Sequence, residues 1–258
     1  MNYLNQPTLP PPFQLREGQV DFANESVLQS VDLEIVAGSF VAVLGQNGSG
    51  KSTLIRALLG LLPLAAGELL IYEQPANEFK EWNRIAYVPQ QLLSAGAVPV
   101  SVKEVVASAL ISPRTRFRRP GATDAIKSAL QEVDLWQRRN DSMHTLSGGQ
   151  QRRVMIAAAL AKAADVLVLD EPTAGVDAEN VAHLVALLAT LKQRGVTIIV
   201  VTHELGELAE FVTRVIVLGR RAGSSVLYDG PPPRPRSLAD PHGHHEGETP
   251  HSMWELPK

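Results

Sequence analysis

From Val20 onward the chain alternates short, unbroken apolar runs with longer stretches whose apolar residues recur every three or four positions. Residues 40–44 (Phe-Val-Ala-Val-Leu), 166–169 (Val-Leu-Val-Leu) and 196–201 (Val-Thr-Ile-Ile-Val-Val) have strand length and suit a parallel sheet covered on both faces. Residues 52–62 carry Leu54, Ile55, Leu58 and Leu59 at helical spacing. Residues 179–194 repeat Val181, Leu184, Leu188 and Leu191, an amphipathic helix closed by Gly195. Strand–helix–strand alternation predicts an α/β fold with right-handed crossovers. Residues 92–160 read differently. They are helical over 101–110 and 123–133, carry a basic loop at 114–119 that reads as a solvated surface turn, and hold no strong strand. This stretch is expected to be a helical insertion. Residues 1–13 form a loose, Pro-rich lead-in to a domain over 14–230, and residues 231–258, rich in Pro, Arg, His and Gly, predict a disordered tail.

Composition narrows this picture by exclusion. Lys and Arg number 24 against 27 Asp and Glu, a formal charge of −3 with no bulk basic field for nucleic acid. The chain has no cysteine, which removes disulfides and thiolate-bound zinc and is compatible with the cytosol. No apolar run approaches the ~20 residues a membrane span needs, and the first residues lack the pattern of a signal peptide. Action at a membrane would therefore require another chain to do the spanning.

Two segments carry chemistry. Gly45-Gln46-Asn47-Gly48-Ser49-Gly50-Lys51-Ser52-Thr53 fits the phosphate-loop pattern, between an apolar strand and a helix. Glycines let successive backbone N–H groups turn inward around phosphate oxygens, and the helix that follows offers its unpaired N-terminal amides to the same anion. Lys51 supplies a point charge for the terminal phosphates, and the Ser52 hydroxyl is placed to ligate Mg²⁺. The second segment is the strand at 166–169 followed by Asp170, Glu171 and Pro172. Asp170 can hold Mg²⁺, while Glu171, expected to point the other way by strand alternation, can act as general base on a water. His203, after the strand at 196–201, could contact the terminal phosphate and steady the water.

A third segment, Leu146-Ser147-Gly148-Gly149-Gln150, is another glycine-rich, anion-binding turn opening a helix at 151–161. One chain has no use for two such cradles on one nucleotide, whereas a symmetric pair does, if each cradle closes over the partner's phosphate loop. With it the chain resembles the ABC ATPases, whose signature this is. The resemblance covers about residues 14–230. It implies a RecA-like P-loop NTPase core, an N-terminal antiparallel β subdomain and an inserted helical subdomain. It further implies that Gln90 is the glutamine that senses γ-phosphate and Mg²⁺, Asp177 the aspartate that crosses the dimer interface, and His203 the switch histidine. Phe22 falls where the family places an aromatic on adenine, and a core aromatic on a strand is the other reading of it. The implied working state is an ATP-bound homodimer on a separate transmembrane permease, at the cytoplasmic face of the membrane, served by an extracytoplasmic substrate-binding protein.

Residues 98–106, together with the run Leu-Ser-Gly-Gly-Gln-Gln-Arg-Arg at 146–153, look like the ATPase subunits of zinc and manganese uptake systems. His242, His244, His245 and His251 could bind Zn²⁺ loosely, or could simply belong to a solvated tail. Importers or exporters of other substrates, soluble non-transport ABC ATPases and a regulator without turnover are the alternatives. Against the last two stand the absence of a coiled-coil insertion or second cassette and the presence of both Glu171 and His203.

Overall fold

The computed structural model describes residues 9–22, 25–90, 100–111, 121–221 and 224–232. Outside them lie Val98 and Pro99, the basic loop at 114–119, and the tail with His242, His244, His245 and His251. In chain order the elements are β1 (Phe13–Phe22), β2 (Glu25–Ile35), β3 (Phe40–Gly45), α1 (Lys51–Leu58), β4 (Ala66–Ile71), β5 (Gln74–Pro75) and β6 (Ile85–Val88). Then come α2 (Val102–Ser108), α3 (Ala122–Glu132), α4 (Gly148–Ala161), β7 (Val166–Asp170), α5 (Ala178–Gln193), β8 (Thr197–Val201), β9 (Arg214–Arg221) and β10 (Ser224–Gly230).

Two sheets organise these elements. One is four-stranded and antiparallel, in the order β2-β1-β4-β5, and its strands alternate buried Phe13, Leu15, Leu33 and Ile35 with polar residues. Phe13, the first residue of β1, is fully buried. The other sheet is six-stranded, in the order β10-β9-β3-β8-β7-β6, parallel except for β10. The β9–β10 hairpin has no counterpart in the sequence analysis. Its strands are fastened by a two-pronged contact from Arg214 to the Asp229 carboxylate, at 2.5 and 2.6 Å.

The central strands are buried on both faces, and their two-residue period sends alternate side chains into different cores. Val41, Val43, Val166, Val168, Ile199 and Val201 join α1 and the antiparallel sheet in one core. Phe40, Ala42, Leu167, Leu169, Ile198 and Val200 face the other core, which also takes in α2 to α5. The expected α/β body, with its antiparallel sheet and its helical part, is therefore present.

Helix ends follow local chemistry. Ser101 caps α2 and Ser147 caps α4, each in a reciprocal box with the residue three positions on, Glu104 and Gln150. That cap starts α4 at Gly148, ahead of the expected 151. Helix α5 buries Leu184, Leu188 and Leu191 against the sheet. Leu188→Ala is expected to cost about 2–5 kcal/mol, read as a lower urea midpoint at unchanged slope. An unchanged midpoint would show that α5 is not held by this contact.

Candidate functional site

Four strand ends at the C-terminal edge of the parallel sheet build the site. β3 runs into the phosphate loop, β8 leads into Thr202 and His203, β7 ends at Asp170, and β6 leads to Gln90. β8 lies between β3 and β7, so the strand that leads into His203 separates the phosphate loop from Asp170. The chain ends are tied across this edge: Glu171 N donates to Val201 O at 2.8 Å and Thr202 N donates to Val43 O at 3.1 Å.

The phosphate loop has the backbone its glycines allow. Gly48 and Gly50 sit at φ 78° and 95°, and Gly50 caps α1. A Cβ at Gly50 would stand 2.8 Å from the Leu28 side chain, so no other residue fits there without movement. Lys51, 8% exposed, curls over the loop and donates to Gly45 O at 2.7 Å and Gln46 O at 3.0 Å. The buried Ser49 hydroxyl has no protein partner. A cavity of about 280 Å³ is lined by Val27, Asn47, Gly48, Gly50, Lys51, Ser52, Thr53, Gln90, Asp170 and Glu171. A polyphosphate fits this cradle: the amides, the lysine and the orphaned hydroxyl are all donors.

The acidic wall is asymmetric. Asp170 is 6% exposed and shares the face of Val166 and Val168, toward α1. Burial pushes its carboxyl above the ordinary carboxylate value; a hydrogen bond from Tyr87 opposes this, Glu171 adds to it, and Arg56 and Lys51 offset it in part. The Tyr87 hydroxyl donates to Asp170 Oδ2 at 3.3 Å, and burial raises that phenol's pKa as well. Glu171 does not continue the strand. Its φ of 49° is left-handed, so a turn rather than strand alternation aims its side chain, which corrects the sequence expectation. His203 Nδ1 lies 3.2 Å from Glu171 Oε2 and donates when that nitrogen carries the proton. Asp170, the Ser52 hydroxyl and the Gln90 amide form an all-oxygen donor set suited to a hard divalent cation.

The remaining predicted residues lie outside the lining of this cavity. Ser147 and Gly148 are exposed at the start of α4, with Gly149 and Gln150 half-buried behind them. Gln150 Oε1 accepts from Ser147 N at 3.1 Å and from Arg138 Nη1 at 2.7 Å. Asp177 caps α5, taking bonds from Asn180 N at 3.0 Å and Asn180 Nδ2 at 2.7 Å. Phe22 ends β1 with 46% of its surface exposed, which rules out the core-aromatic reading. Tyr87, Arg56 and Arg152 were missed. Strand parity would have found Tyr87, because it pairs in register with Val168 and so shares the face of Asp170.

Comparison with known proteins shows the family. The ABC transporter family profile matches residues 28–174. The zinc transport system ATP-binding protein TroB of Treponema pallidum (strain Nichols) is 41% identical over 202 residues, 78% of this chain and 75% of that protein. The manganese transport system ATP-binding protein MntB of Bacillus subtilis (strain 168) is 36% identical over 213 residues, 81% of this chain and 84% of that one. Among solved structures, the dimeric structure of MJ0796, a bacterial ABC transporter cassette, superposes with a TM-score of 0.71 at 28% identity, covering 85% of this chain and 98% of that one. A phosphate cradle, a paired acidic strand end and a second glycine-rich turn, on this fold and with these relatives, place the chain in the ABC transporter family as an ATP-hydrolysing, ATP-binding subunit.

Proposed function

We propose that the chain hydrolyses Mg-ATP as a nucleotide-sandwich homodimer on a separate membrane-spanning permease, and that the cargo is zinc or manganese. The observation that carries the catalytic part is the convergence of Lys51, Ser52, Gln90, Asp170 and Glu171 on one cavity, while Ser147 to Gln150 and Asp177 stand apart from it. Residues that serve a nucleotide but cannot serve their own find their use across a dimer interface. Lys51 and the loop amides hold the phosphates, and Ser52, Asp170 and Gln90 hold Mg²⁺, which when bound neutralises charge on the phosphoryl oxygens. Glu171 takes the proton of the attacking water, with His203 fixing its carboxylate. Phe22 offers an exposed ring face for adenine, and Ser147, Gly148 and Gly149 close over the second copy's nucleotide.

The cargo reading rests on the relatives named for zinc and manganese transport. No helix among the described residues is long and apolar enough to cross a membrane, in keeping with a peripheral subunit on the cytoplasmic face. An extracytoplasmic binding protein would deliver the ion to the permease. The test is growth of a strain lacking this chain in chelator-treated medium, with zinc, manganese, iron or cobalt restored singly. Rescue by zinc or manganese alone is expected; rescue by iron or cobalt alone would move the cargo elsewhere and leave the ATPase untouched.

A further inference from the structure

Arg152 is a buried charge with an unmet donor. It lies on α4, 5% exposed, and its Nη1 donates to Pro172 O while its buried Nε has no protein partner. Burial pushes the guanidinium's pKa down, and the nearby Glu171 carboxylate acts to keep it charged. A buried cation with an unmet donor is a poor device for stability, since an apolar side chain of similar volume would fill the space without desolvating a charge. Its value must lie in what it holds.

What it holds is the turn between β7 and α5. Arg152 grips this turn at Pro172, next to Glu171. The next residue, Arg153, grips the other end: its Nη2 donates to Asn180 Oδ1 at 3.3 Å, and Asn180 in turn bonds the Asp177 carboxylate. Arg153 Nη1 also donates to Val133 O, at the end of α3, at 3.2 Å. The segment from Glu171 to Asn180 is thus suspended at both ends from α4. The same helix opens with the Ser147–Gln150 cradle, which is locked to it by the reciprocal cap and to the helical part by Arg138. A displacement of the cradle that carries α4 with it would act on the catalytic turn through these bonds.

We propose that Arg152 is a positioning residue through which the seating of a chain's own Ser147–Gln150 cradle on the second copy's nucleotide is felt at that chain's own Glu171. The proposal rests on the sandwich dimer described above. It makes each site's base depend on the other site's occupancy, a coupling carried within one chain, with Arg152 as its contact nearest Glu171.

The test uses the full-length chain with Arg152→Met and Arg152→Lys. For Arg152→Met, kcat is expected to fall by up to ~10²-fold, as for a misplaced catalytic group, with the ATP KM little changed. The Hill coefficient for ATP is expected to fall from a value approaching the number of sites, about 2, to about 1. The thermal midpoint should hold or rise, and Arg152→Lys, which keeps a charged donor for Pro172 O, should recover part of both kcat and cooperativity. Two results overturn the proposal. One is wild-type kcat and Hill coefficient in Arg152→Met; the other is a kcat loss that tracks a lowered thermal midpoint and is not relieved by lysine, which marks a structural role. Failure of the dimer itself reads out separately, as a Glu171→Gln chain that stays monomeric with ATP in light scattering, and the proposal then falls with it.

Discussion

Replacing Glu171 by Gln is expected to leave ATP binding intact while slowing hydrolysis by ~10²–10⁴-fold, the range for a lost general base. Three features of the site lead there. The Glu171 side chain is only 12% exposed, so its carboxylate is held rather than free in solvent. Its backbone is fixed, because the left-handed turn is tied to β8 through Val201 O. A glutamine is isosteric, keeps a polar partner for His203 Nδ1 and leaves the phosphate loop unaltered, yet it cannot accept the water's proton. The measurement is phosphate release under saturating ATP, paired with fluorescent-nucleotide binding. Because hydrolysis takes place inside the proposed sandwich dimer, a variant that binds ATP without turning it over should also accumulate as an ATP-bound dimer. Hydrolysis at the wild-type rate would remove Glu171 from the mechanism.

Lys51→Ala acts on binding, and its expected result is weakened ATP affinity with the fold retained. Charge-assisted hydrogen bonds contribute about 1.5–3 kcal/mol each, so the loss of this one donor predicts a Kd raised at least ~10–100-fold. Lys51 now donates to two loop carbonyls, Gly45 O and Gln46 O, which hold the ammonium over the cavity mouth before any phosphate competes for it. Removing it costs the loop these two bonds, but the αL glycines and the α1 amides remain. A fluorescent-nucleotide titration that gives the wild-type Kd would show that the loop amides bind the phosphates without the lysine's charge.

How much of this could be read in the sequence depends on where the signal was local. The phosphate loop was legible because its glycine spacing is a backbone requirement, and the structure places positive φ at Gly48 and Gly50 as that requires. The strands β3, β7 and β8 were legible as unbroken apolar runs, and α5 by its leucine period. The side-to-side order of strands was not, because which strand lies between β3 and β7 is decided by packing of crossovers, not by any residue in β8. Glu171 was assigned the right neighbourhood by the wrong geometry, since nothing in Asp170-Glu171-Pro172 announces a left-handed residue. Arg152 escaped notice for a related reason. On a helix with basic residues, burial of one arginine is invisible until the helix has a neighbour, here the Pro172 turn.

The division of the central strands between two cores has a consequence for how the protein finds its own register. In a sheet with one wet face, a slip of one residue puts charges in the interior, and solvation alone forbids it. Here both faces are dry, so a slipped β7 would merely exchange Val166 and Val168 with Leu167 and Leu169. Water discriminates little between those arrangements. The difference is one of shape, β-branched against γ-branched side chains, and of the polar residue at the strand's end. A slipped β7 would carry Asp170 away from Tyr87 and Arg56 and toward the leucine-lined side, stranding a carboxylate without its partners. The aspartate proposed to hold Mg²⁺ is thus also the mark by which the strand is threaded correctly, and folding fidelity and the proposed catalysis draw on the same carboxylate.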